Sequence, residues 1–140
     1  MRNIFIAILV MLFVTCGTHR ANAQIEQLQN ICSLYFSPEF ISDGQEYFAP
    51  LKPDQYVEFR TTFFGGNTYR IVGCTNVRRG NLVFSVFDTE KNLLFTNANY
   101  DNSPYWDFRF ASTVTCIIRV NVKSTTFVPG YVMLLIGYKL

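Results

Sequence analysis

Chemistry in this chain has to rest on a small set of residues. Asp88, Asp101 and Asp107 are the carboxylates open to a catalytic reading, and two such groups about 5 to 9.5 Å apart would serve a glycoside hydrolase. Alternation in their segment puts Asp107 on a solvent-facing side, and the other two fall in turns, so solvated acids are the plainer reading. The single histidine, His19, lies near the amino end in a stretch that reads as a removable signal. The remainder therefore has no imidazole for a Ser-His-Asp or Cys-His relay or for a common zinc site. Gly65-Gly66-Asn67 lacks the lysine and following helix of a phosphate loop. The most distinctive run is Asn97-Ala98-Asn99-Tyr100-Asp101-Asn102-Ser103-Pro104-Tyr105-Trp106-Asp107. Its oxygens suit calcium in type but not in spacing, so the expectation is no cofactor, with calcium as the alternative. Tyr100 and Tyr105 offer flat rings with a polar tip for stacking on a sugar or an apolar partner, and with Asp101 they form the candidate binding site. No catalytic or metal-ligating residue is expected.

The elements that position these residues begin after a leader. Met1-Arg2-Asn3 carries positive charge, Ile4 to Val14 is unbroken apolar, and Ala21-Asn22-Ala23 offers small residues for cleavage before Gln24. Eleven apolar residues are too few for the ~20 that a helix needs to cross a bilayer, so residues 1–23 read as an export signal and not as a retained transmembrane segment. Residues 24–140 then form one domain. Loss of Arg2 and Arg20 leaves ten basic against ten acidic residues, which gives no broad attraction for nucleic acid or anionic lipid. The expected location is periplasmic, cell-surface or extracellular. Cys32, Cys74 and Cys116 remain there, an odd number in a disulfide-permissive compartment. A Cys74–Cys116 bridge between two facing sheets is one reading, and three small buried hydrophobes is the other.

From Ile25 to Phe36, apolar Ile25, Leu28, Ile31, Cys32, Tyr35 and Phe36 recur at helical offsets, which predicts one short amphipathic helix ending before Pro38. Its stripe is expected to cover an end or edge of the sheets. After Asp43-Gly44 the period becomes two. Strands are expected over Gln45–Leu51, Tyr56–Phe64, Thr68–Thr75, Leu82–Phe87, Leu93–Thr96, Tyr105–Phe110, Ser112–Lys123 and Tyr131–Lys139. Turns fall at Gly65-Gly66-Asn67, Arg78-Arg79-Gly80-Asn81, Asp88 to Asn92 and Pro129-Gly130. About eight strands with no crossover helix predict an all-β fold, an antiparallel, jelly-roll-like β-sandwich with one short N-terminal helix. Twelve Phe, eight Tyr and one Trp beyond the leader furnish its core.

Asn30-Ile31-Cys32, Asp43-Gly44-Gln45, the stretch Gly66 to Val72, Asp88 to Asn92 leading to Leu94-Phe95-Thr96-Asn97, Tyr105-Trp106-Asp107-Phe108 and Ile136-Gly137-Tyr138-Lys139 together resemble a group of small exported bacterial β-sandwich proteins. More distantly, the order of strands is similar to the bacterial pre-peptidase C-terminal domain. Lys91-Asn92 stands where that family usually has an Asp-x-x-Gly core, and no fused catalytic domain is expected. The resemblance implies a fold and carries no catalytic residues. The function expected is non-enzymatic binding of a partner protein or surface glycan through end loops, Asn97–Pro104 and Val77–Asn81. The alternatives are a carboxylate-based glycoside hydrolase and a purely structural envelope subunit. The oligomeric state is left open.

Overall fold

A computed structural model describes residues 22–52, 54–77, 81–123 and 130–140. The leader up to residue 21, with Cys16 and His19, lies outside the described residues, as do Pro53, Arg78-Arg79-Gly80 and Pro129. The expected helix, α1, occupies residues 22–33. Among the described residues eight strands follow: β1 (Phe40–Leu51), β2 (Tyr56–Phe63), β3 (Thr68–Thr75), β4 (Leu82–Phe87), β5 (Leu93–Thr96), β6 (Tyr105–Arg109), β7 (Val114–Val122) and β8 (Gly130–Lys139). Strands β3, β4 and β5 have the bounds that alternation predicts. β1 starts earlier than expected, because Asp43-Gly44 is a bulge inside the strand rather than a turn before it. Its register against β8 breaks between Ser42 and Glu46. Gly44 takes φ +80 there, while Asp43 Oδ1 accepts from Gln45 N at 2.8 Å.

The strands form two antiparallel sheets, ordered β1-β8-β3-β6 and β2-β7-β4-β5. β1 with β8, β2 with β7, β3 with β6 and β4 with β5 pair as in one long hairpin rolled on itself, so the antiparallel β-sandwich is jelly-roll-like. Between the sheets lie Phe63, Ile71, Phe84, Val86, Ile118, Val120, Val132, Leu134 and Ile136, all buried. Aromatic rings from both sheets meet in that layer, Phe63 stacking on Phe110 at 4.7 Å and Phe95 on Phe108 edge-on at 5.0 Å.

The helix does not cap an end or edge. It lies on the outer face of the first sheet, where fully buried Leu28 and Cys32 pack against Val72, Cys74, Met133 and Leu135 of β3 and β8. The reason is in those two strands. Val132 to Ile136 is apolar at every position, as is Ile71 to Cys74 if glycine is counted, and a strand apolar on both sides needs cover on both. Gln29 Nε2 also donates to Glu46 Oε2 of β1 at 2.7 Å.

A disulfide joins Cys32 of the helix to Cys74 of β3, with Cα atoms 5.7 Å apart. The Cys74–Cys116 bridge is thereby corrected. With Ile71 facing inward, period two turns Val72 and Cys74 outward to the helix, whereas Cys116 of β7 faces the core and remains a buried thiol. Burial pushes that thiol's pKa up, the response of an inert core cysteine. The disulfide closes a loop of sequence separation 42, so Cys32→Ser or Cys74→Ser should cost ~2–4 kcal/mol in denaturant unfolding. Cys116→Ala should leave the bridge intact, and a non-reducing digest should recover the Cys32 and Cys74 peptides as one mass.

Candidate functional site

The loop from Asn97 to Pro104 sits at the end of the sandwich where β4 begins and β3 finishes, as expected of a connection between two strands of different sheets. Its conformation is set by Asn97, which is fully buried at the end of β5. Asn97 Oδ1 accepts from Phe84 N at 2.9 Å, and Nδ2 donates to Leu82 O and Ser103 O, each at 3.0 Å. One side chain thus supplies the partners that the backbone of β4's start and of the loop's return would otherwise lack. Asn97 O accepts from Tyr100 N at 2.9 Å and from Asn102 N at 3.1 Å, closing a tight turn. Asp101 and Asn102 take positive φ of 51 and 53, a conformation that Asp and Asn tolerate best among non-glycine residues. Gly73 N then donates to Pro104 O at 2.8 Å, fastening the loop to β3.

On this base Tyr100 is 48% exposed. Its ring centre lies 4.3 Å from that of Trp106 and stacks on Phe95 at 5.6 Å. Asp101 is exposed beside it. Tyr105 goes elsewhere. It neighbours Trp106 on β6, so its side chain leaves the opposite face of the sheet, where it lies 6.0 Å from Tyr35 and against the Arg70 guanidinium at 4.4 Å. Of the three expected binding residues, Tyr100 and Asp101 therefore adjoin, and Tyr105 stands across the strand from them. Trp106, expected to be buried, is only partly so. A depression of about 310 Å³ runs along β6 between these groups, lined by Ser103, Tyr105, Trp106 and Asp107.

The carboxylates are employed in different places. Asp107 is exposed on β6, as alternation predicts, yet both its oxygens are held by Arg70, from Nε at 2.6 Å and Nη2 at 2.8 Å. Arg70 Nη1 donates to Tyr35 O at 2.8 Å, and the guanidinium lies between the rings of Phe40 and Tyr105. The hydrogen bonds to Asp107 raise the Arg70 pKa and keep it charged. Asp88 organises the β4–β5 turn, accepting from Asn92 Nδ2 at 2.7 Å, Asn92 N at 2.8 Å and Glu90 N at 2.9 Å. The Asn92 amide, followed by the backbone donors, holds its pKa below the ordinary carboxylate value. Asp88 precedes β5 and Asp101 follows it, so the two occupy opposite ends of the sandwich. No group of three or more His, Cys, Asp and Glu side chains is placed to hold a metal ion among the described residues. None of their helices is long and apolar enough to cross a membrane.

Neither Asn97 nor Arg70 stands out from the sequence pattern as a residue that shapes the site. Arg70 could have been found, because pairing the strands on either side of the sheet brings it opposite Asp107. Asn97 carries no local signal, since two of its three partners come from β4, a strand of separate sequence.

No protein-family model matches the chain, which leaves the resemblance to the pre-peptidase C-terminal domain without support, and no curated protein matches it either. Among solved structures the chain is similar to PliG of Aeromonas hydrophila, a periplasmic inhibitor of g-type lysozyme. The identity is 14%, the match covers 72% of this chain and 90% of that one, and the TM-score is 0.49.

Two outcomes follow from this geometry. Asn97→Ala strands one N–H and two carbonyls, and should lower unfolding free energy by about 3 kcal/mol in a denaturant titration. For Asp88 the folded pKa is depressed, so its contribution to the turn is complete above the ordinary value of 3.8 and is lost as pH falls through the folded pKa. Carboxyl NMR titration should place its midpoint below 3.8, with exchange of the Glu90 and Asn92 amides quickening in the same acid range.

Proposed function

We propose that this chain is a non-enzymatic, exported β-sandwich that binds a partner protein or a surface glycan at the loop end carrying Tyr100 and Asp101. The observation that carries this reading is the mounting of Tyr100. A large ring with a polar tip is half-exposed, yet it rests on Trp106 and Phe95 over a loop pinned by a buried asparagine. Such a ring contributes contact area with little conformational entropy to lose on binding. Export draws support from the leader-like amino end and from the Cys32–Cys74 bridge, which suits an oxidising compartment.

The hydrolase alternative fares less well on geometry. Asp107 is saturated by a guanidinium, Asp88 by its own turn, and neither is free to pass a proton to a substrate beside Asp101. The structural-subunit alternative finds no thiol for a covalent link to another chain among the described residues, because Cys32 and Cys74 are joined and Cys116 is fully buried.

Tyr100→Ala should reduce retention on a glycan array or on immobilised envelope fractions by at least about tenfold, while lowering Tm by only a few degrees, the size expected for a half-exposed stacked ring. Undiminished retention would sink the site. Turnover of a glycan by purified protein, abolished in Asp101→Asn, would establish the hydrolase in its place.

A further inference from the structure

Among the described residues the sandwich has four edge strands, and three are blocked. β1 is broken by the bulge at Ser42–Glu46 and carries Pro50. β2 is covered at its middle by side chains of β1, the Tyr47 hydroxyl lying 3.4 Å from Arg60 O and Gln45 Oε1 accepting from Thr61 Oγ1 at 3.1 Å. β5 has four residues and a shifted register. β6 has neither break nor proline across its five residues, and its register against β3 is continuous.

Its backbone is oriented for pairing. Gly73 N donates to Pro104 O, so the alternation of an antiparallel ladder turns the N–H and C=O of Trp106 and Phe108 toward β3. Those of Tyr105, Asp107 and Arg109 therefore point away from the sheet. In agreement, Tyr105 O accepts from the Ser103 hydroxyl at 2.8 Å, a partner outside the ladder. The depression lined by Ser103, Tyr105, Trp106 and Asp107 follows this edge. On one side of it stand the partly exposed rings of Trp106 and Phe108. On the other, Asp107 is neutralised by Arg70, while Arg109 is exposed and has no ion pair among the described residues.

We propose that β6 is a strand-addition edge that accepts an extended segment of a partner protein. The segment places apolar side chains against Trp106 and Phe108 and a carboxylate against Arg109. This rests on the reading of the chain as a binding module and commits its partner to a polypeptide. Main-chain hydrogen bonds to Asp107 and Arg109 supply affinity, and the alternating side chains supply selectivity.

The test uses a capped peptide, Thr-Val-Glu-Phe-Glu-Val-Thr, added to the isotope-labelled exported protein. Expected are amide shifts confined to β6 and its neighbours, slowed exchange at the Asp107 and Arg109 amides, and loss of binding when alternate peptide nitrogens are methylated. Arg109→Glu should weaken binding at least about tenfold, and replacing the peptide's Glu residues by Lys should restore it. Shifts centred elsewhere, indifference to methylation, or no binding at millimolar peptide would overturn the proposal. The methylation comparison needs no variant. If the peptide fails while Tyr100→Ala still abolishes retention, the edge is wrong and the binding end stands. If the peptide binds and obeys the charge swap while Tyr100→Ala keeps full retention, the edge stands and the binding end is wrong.

Discussion

Every strand of this protein must yield one face to the apolar layer between the two sheets, and that requirement places everything else. Phe63, Ile71, Phe84, Ile118, Leu134 and Ile136 come from five strands and are buried together. Since a strand's side chains alternate, fixing these residues inward fixes their neighbours outward. The orientation of Cys74, Arg70 and Tyr105 follows from it, and so does the separation of Tyr105 from Tyr100.

The outward residues of the first sheet then divide into two regions. Over β3 and β8 they are apolar, and the helix covers them with a covalent tie through Cys32. Beyond the helix, Arg70 takes over. Its guanidinium lies between two rings and binds Asp107 through Nε and Nη2, while Nη1 donates to the backbone just past the helix. Gly137 lies beneath the Phe36 ring, where a Cβ would collide with it, so this glycine also serves the approach of the connecting segment to the sheet. The outer face of the first sheet is thus covered over β3 and β8.

The second sheet has a mixed outer face, where Glu58, Arg119 and Asn121 stand beside Tyr56, Phe87 and Ile117. Arg119 stands between Tyr56 and Phe87, 4.4 and 4.9 Å from their ring centres, and pairs with Glu58 at 2.8 Å. That pair is well exposed, so its stabilising effect is small after screening by solvent. The contrast with Arg70, whose side chain is only 12% exposed, shows two arginines in similar aromatic settings with different structural weight.

The amino-acid sequence by itself determined the number of strands, most of their bounds, the short helix and the outward side of Asp107, because period and turn chemistry are local properties of the chain. It also held, in the unbroken apolar runs of β3 and β8, a sign that those strands are covered on both faces. Only the tertiary structure decided where the helix lies, which cysteines join, that Asp107 belongs to Arg70, and that Asn97 fastens the loop beneath Tyr100. Each of these depends on residues far apart in sequence meeting across sheet pairings, and no local pattern specifies which strand will lie beside which.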